Sequence, residues 1–203
     1  NVGIEHIRGV STFKSSSDEN HSWTFVEIFS TQNAWVKDIT TQNFAYAAVS
    51  IRANSKWVTV EDAQFLDPKS QVTGGRRYPF YIEGDQNLVK NAFAKSSRHD
   101  FVMGALAAGP NVFVDCWAQS SSNDTGPHHR WSVGTLYDKV ITVTGSTTPY
   151  TLLTVTGFNA SGTGMSAPTI NPAAGTVTFN SPPAATGTVT FDLIGPIEDT
   201  AYW

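Results

Sequence analysis

The feature that most narrows the fold of this chain is an alternation of two kinds of short segment across its first two-thirds. One kind begins at asparagine: "NVGIEHI" from Asn1, "NAWVKDI" from Asn33, "NSKWVTVEDA" from Asn54, "NLVKNA" from Asn87 and "NVFVDCW" from Asn111. Each sets an apolar residue two before a polar or small one, in the pairs Ile4/His6, Val36/Asp38, Val60/Asp62, Val89/Asn91 and Val114/Cys116. These are the A-type segments. Between them run B-type segments: "FVEIF" from Phe25, "AAVSI" from Ala47, "PFYIE" from Pro79, "DFVMG" from Asp100 and "WSVGT" from Trp131. Period-two alternation rich in β-branched and aromatic residues marks strands. No stretch carries a long helical pattern, which argues against strand–helix–strand units.

A fixed succession of short strands at a period of roughly 20–30 residues predicts a solenoid. Successive A-type strands should stack in parallel about 4.8 Å apart. The expected fold is all-β: a parallel β-helix of about five coils over residues 1–140, then a small antiparallel β module over residues 141–203. Ile4, Val36, Val60, Val89 and Val114 should form one inward column. The asparagine ahead of each A-type strand suits a left-handed turn, and its amide can bond along the stack. Cys116 is the single cysteine and sits in the apolar run "NVFVDCW". It reads as a small buried core residue, not as a reactive thiol.

The stretches "GGRRYPFYIEG", "RHDFVMGALAAGPNVFVDC" and "RWSVGTLYD" resemble a group of bacterial β-helix proteins associated with polysaccharide use. The wider pattern resembles the right-handed parallel β-helix of the pectate-lyase-like superfamily. The resemblance covers residues 1–140 and implies a right-handed coil and a carbohydrate-directed role. It implies no single reaction, because that superfamily hosts lyases, hydrolases, epimerases and non-catalytic fibres.

Charge and motif exclude several classes. A net charge of −4 argues against a general nucleic-acid binder, which needs a basic face. No apolar run approaches the roughly 20 residues of a membrane span. Nothing resembles a phosphate loop, a dinucleotide motif or a serine elbow. The chain starts abruptly in strand-like sequence, as a processed form or a fragment would, and no signal peptide is visible.

The connections sort by edge. Those from B-type to A-type are short and alike. Those from A-type to B-type vary: "STFKSSSDENHSW", "TTQNFAY", "FLDPKSQVTGGRRYP", "AKSSRH" and "AQSSSNDTGPHHR". Solenoids place insertions on one edge, and that edge carries function. On it fall Arg76, Arg77, Tyr78, Arg98, His99, His128, His129 and Arg130. Arg77-Tyr78, Arg98-His99 and His129-Arg130 each precede a B-type strand, so they should meet as one basic groove. Such a groove suits an acidic polysaccharide. Arg76, Arg77, Arg98 and Arg130 are candidate carboxylate clamps, and Trp23 and Trp131 are candidate sugar-stacking platforms.

β-Elimination on a uronate needs a neutralised carboxylate, a base for the C5 proton and an acid for the leaving oxygen. His99, His128, His129 and Tyr78 are the candidate catalytic groups. No pair of carboxylates has the spacing hydrolysis requires. Neither His99-Asp100 nor His128-His129 is expected to hold a metal, because adjacent residues on a strand point to opposite faces. No cofactor is expected, with calcium the one ion left open. The first reading is a secreted or cell-surface protein that binds an acidic polysaccharide and cleaves it if it is an enzyme. The alternative is a structural or adhesive assembly protein, tail-spike-like or filamentous, without catalysis.

The last third differs. After Lys139 there is no lysine or arginine. Strand-like runs appear at "VITVT", "YTLLTVTGF", "GTVTFN" and "GTVTFDLIG", the last two reading as a hairpin or adjacent sandwich strands. So little charge suits a cap or a homo-oligomer contact.

Overall fold

The computed structural model describes residues 1–144 and two short strands beyond them, Thr169–Asn171 and Thr176–Thr178. Most of the expected C-terminal module, including "YTLLTVTGF" and the second "GTVTF", lies outside the described residues. Among the described residues the protein is all-β. No helix among these residues is long and apolar enough to cross a membrane.

The A-type segments form β1 (Val2–Val10), β3 (Gln32–Gln42), β5 (Lys56–Leu66) and then the split pairs β7 (Leu88–Lys90) with β8 (Phe93–Lys95) and β10 (Asn111–Val114) with β11 (Trp117–Ser121). A further pair, β12 (Thr135–Asp138) with β13 (Ile141–Thr144), follows them. All pair in parallel in one sheet. The B-type segments form a second parallel sheet of β2 (Thr24–Ile28), β4 (Ala47–Ile51), β6 (Phe80–Ile82) and β9 (Phe101–Met103). Beyond them, β14 (Thr169–Asn171) and β15 (Thr176–Thr178) pair antiparallel.

The large sheet is strongly curled because each A-type segment bends in its middle. His6, Asp38, Asp62, Asn91, Asp115 and Lys139 all take a left-handed φ, between 48° and 57°. The register stacks these residues: Lys37 pairs with Glu61 on one side of the bend, and Ile39 with Ala63 on the other. Asp and Asn tolerate this conformation better than β-branched residues do. The polar residue two after each apolar one is therefore a corner. At this corner His6 Nδ1 lies 2.6 Å from Asp38 Oδ2, and Lys139 Nζ lies 3.3 Å from Asp115 Oδ1.

The expected inward column is present with two changes, one at each end: Ile4 keeps the register but is 37% exposed and stands outside the buried core, and Val114 is not the fifth member. Ile4 pairs with Val36, Val36 with Val60, Val60 with Val89, and Val89 with Phe113. Phe113, not Val114, holds the fifth position, because Asp115 is the corner residue there. Cys116 lies beyond the corner and is buried as expected, with Sγ 3.2 Å from the Val114 carbonyl oxygen. Burial pushes its thiol up to about 11. The B-type sheet adds Val26, Val49, Phe80 and Phe101 in one column and Ile28, Ile51, Ile82 and Met103 in the next. Both columns join the A-type residues in a single apolar core.

Two expectations are corrected. The asparagines do not form a five-level ladder. Asn33 and Asn54 take left-handed turn positions, while only Asn87 and Asn111 stack, with Asn87 Nδ2 donating to Asn111 Oδ1 at 3.2 Å. Asn87 Oδ1 also accepts from Val58 N at 3.0 Å. The second correction concerns "WSVGT", which is not the fifth B-type strand. Val102 of β9 bridges to Gly126, and Val133 N donates to the Ala107 carbonyl. "WSVGT" is thus the connection into β12.

Candidate functional site

The B-type sheet has an inner face in the core and an outer face that carries the candidate residues. Glu27, Ser50, Tyr81, Val102 and Gly126 succeed one another on that outer face, one from each level. Tyr81, Tyr78 and Val102 are buried there in a small separate cluster, with Tyr46 packed against them. Gly104, just after β9, keeps the face close-packed. A Cβ there would come within 2.4 Å of Glu83 Cγ and 2.7 Å of the Tyr81 hydroxyl. The Tyr81 hydroxyl donates to Glu83 Oε1 at 2.9 Å, and Arg52 Nε lies 3.2 Å from Glu83 Oε2.

Three histidines settle on this tyrosine floor. The Tyr78 ring lies 5.2 Å from His99, 5.8 Å from His128 and 6.3 Å from His129, each steeply inclined to it. The His99 and His128 rings are 3.9 Å apart, and His129 stands 6.1 Å from Tyr81. The route to this arrangement differs from the one the sequence suggested. Tyr78 and His99 do precede B-type strands of neighbouring levels, and Arg98 N donates to the Arg77 carbonyl. His128, His129 and Arg130 instead follow the strand position, since Gly126 is the partner of Val102. The loop after Gly126 folds the two rings over the sheet face.

Asp124 ties the histidines together. His99 Nδ1 lies 3.0 Å from the Asp124 carbonyl oxygen and 3.1 Å from Oδ1. His128 Nδ1 lies 3.8 Å from Oδ2 of the same carboxylate. The hydrogen bond from His99 holds the Asp124 carboxyl below its usual range. His99 is 2% exposed, and among the described residues its Nε2 has no hydrogen-bond partner. An unpaired polar atom sealed from water costs about 1–3 kcal/mol, so the ring is held here against a penalty. Burial, reinforced by the electrostatic effect of the neighbouring His99, brings His128 down to about 4. Burial also lowers His129. Both rings are therefore neutral near pH 7 and carry a free lone pair. Burial raises Tyr78, Tyr81 and Tyr46, so the phenols stay protonated.

The arginines divide. Arg98 belongs to the site: Nη1 donates to the Tyr78 hydroxyl at 2.9 Å and to the Gly74 carbonyl at 2.7 Å. Arg130 is exposed beside His129. Arg77 is spent internally, with its guanidinium donating to Ser70 Oγ, the Ser70 carbonyl and the Ser96 carbonyl. Arg76 makes a two-pronged pair with Glu19 at 2.6 and 3.0 Å and lies over the Trp23 ring. Arg76 and Trp23 thus form their own surface group. Trp131 is 74% exposed. Asp124 is the residue that sequence reasoning missed. It sits in the "SSSNDTG" loop, and its only signal was a carboxylate shortly before a His-His pair.

The chain matches no protein family model, no curated protein and no solved structure.

Proposed function

We propose that this chain is a right-handed parallel β-helix that binds an acidic polysaccharide across the outer face of its B-type sheet and cleaves it by β-elimination. The supporting observation is the convergence of His99, His128 and His129 on Tyr78, with the Arg98 guanidinium at the phenol. Groups from three separate stretches of chain meet there. Perturbed titratable groups gathered on one face are characteristic of sites that move protons. The reading carries with it secretion or display at a cell surface, where such polymers lie.

In this reading Arg98 and Arg130 pair with the uronate carboxylate and make the C5 proton more acidic. Neutral His129 takes that proton. The electron pair becomes the C4–C5 double bond as the C4–O bond breaks. The imidazolium of His129 returns its proton to the leaving oxygen, which restores the neutral ring. Tyr78, buried beneath the rings, is a positioning residue that fixes Arg98 and the three imidazoles.

The product test is direct. Incubation with polyuronates should produce unsaturated ends that absorb in the ultraviolet. His129→Ala should lower kcat by on the order of 100-fold or more while salt-sensitive binding persists. Binding without any ultraviolet signal would reduce the reading to a carbohydrate-binding protein, and no binding at all would overturn it.

A second reading, an assembly protein, draws on a different observation. Among the described residues β1 has one strand neighbour, and it leaves Val2, Ile4, Ile7 and Val10 between 37% and 58% exposed. An open, apolar parallel edge is a template for pairing with another strand. In this reading sedimentation should show a multimer that Ile7→Lys disperses. A monomer in both forms would remove it.

A further inference from the structure

We propose that His99, Asp124 and His128 form a binding site for one divalent transition-metal ion of the zinc class. The sequence offered His99-Asp100 and His128-His129 as adjacent pairs, and adjacency on a strand works against chelation. The fold takes one histidine from each pair and sets Asp124 between them.

The geometry carries the assignment. One ring nitrogen from each histidine and one Asp124 carboxylate oxygen all lie within 4.8 Å of one another. His99 Nδ1 is 3.1 Å from Oδ1, and His128 Nδ1 is 3.8 Å from Oδ2. Two donors each about 2.1 Å from a shared ion, at angles of about 90–110°, stand about 3.0–3.4 Å apart. The first distance already fits, and the second lies somewhat above that range, so ligation requires a turn of the His128 ring toward Asp124. His128 and Asp124 have room to make it, with side chains 29% and 51% exposed. His99 is the fixed member, at 2%.

For His99 Nδ1, which faces Asp124, to serve as a ligand, the ring proton must sit on Nε2, an atom with no hydrogen-bond partner among the described residues to oppose it. The donor set also selects the metal. Two imidazoles and one carboxylate suit zinc and its transition-metal neighbours, whereas calcium and magnesium prefer all-oxygen shells. Three protein ligands leave a coordination position open, as catalytic zinc sites do. The site stands independently of the polysaccharide reading, and its test uses no sugar.

The test is titration of the full chain with zinc chloride alone, read by calorimetry, and with cobalt chloride, read by its visible absorption. One equivalent of zinc should bind, and cobalt should give the intense bands of a low-symmetry site with nitrogen ligands. Asp124→Asn and His128→Gln should each weaken zinc binding at least tenfold, while the fold, followed by circular dichroism, is retained. His6→Gln removes an exposed histidine 2.6 Å from Asp38 and should change nothing. A hundredfold excess of calcium should not displace the zinc. The proposal is overturned if zinc does not bind, if Asp124→Asn and His128→Gln bind it as the parent does, or if calcium competes equally.

Discussion

Asp100 and His99 are neighbours in sequence that turn opposite ways. His99 joins the histidine cluster on the sheet face, while Asp100 is fully buried, bonded to Ser97 and with Thr125 Oγ1 donating to Oδ2 at 2.8 Å. Burial raises the Asp100 carboxyl above the ordinary range of an aspartate. Its folded-state pKa thus exceeds the unfolded one. The folded state holds the proton longer, and this residue's contribution to stability falls as pH rises through that interval. Asp100→Asn should therefore gain stability relative to the parent as pH rises from about 4 to 7, as denaturant titrations at several pH values would show. A difference independent of pH would refute the assignment. Arg77 makes a similar point. Its residue type suggests a substrate clamp, but three of its five N–H donors are directed inward to Ser70 and Ser96. Arg77→Ala should cost about 1–3 kcal/mol of folding stability and leave the affinity for polyuronate within about twofold. A large loss of affinity with stability unchanged would restore the clamp. Residue type was legible in the sequence. The partner each arginine would take was not, because loop carbonyls carry no sequence signature.

At the scale of elements, the segments that repeat in sequence also repeat in space. Apolar spacing located β1, β3 and β5 and placed Val36, Val60 and Val89 in one column, since a strand facing a core must alternate. It failed by one residue at Phe113. The alternation there points to Val114 and Cys116, whereas the corner falls on Asp115, at φ 52°, and Phe113 faces Val89. The corners were visible as polar residues but not as bends, because a left-handed φ depends on stacking as much as on residue type. This yields a prediction. Asn91 sits at a corner with φ 50°, so Asn91→Val should cost about 1–2 kcal/mol and Asn91→Gly should be close to neutral. Equal stability of the valine and glycine variants in urea would show that the corner is not held by backbone conformation. The B-type sheet was legible through β9. Beyond it the repeat breaks at "WSVGT", whose alternation imitates a strand while its backbone serves as a connection.

For the whole molecule, the parallel stacking was legible because it rests on a pattern sustained over five levels. The site was legible in its histidines and tyrosine, which were expected to gather and do. Asp124, which joins them, was not, because a single carboxylate in a Ser/Asn-rich loop matches many ordinary turns. The central claim is that this cluster on the sheet face is where an acidic polysaccharide acts. The protein has five histidines, and they divide cleanly. His99, His128 and His129 meet at Tyr78. His6 lies at a corner beside Asp38, and His21 is held by Ser11 and the Lys69 carbonyl. Imidazole signals followed by nuclear magnetic resonance during titration with a uronate oligosaccharide separate these groups in one experiment. The account predicts that His128 and His129 shift in a saturable way while His6 and His21 stay fixed. Shifts confined to His6 or His21, or no saturable shift at any histidine, would contradict it.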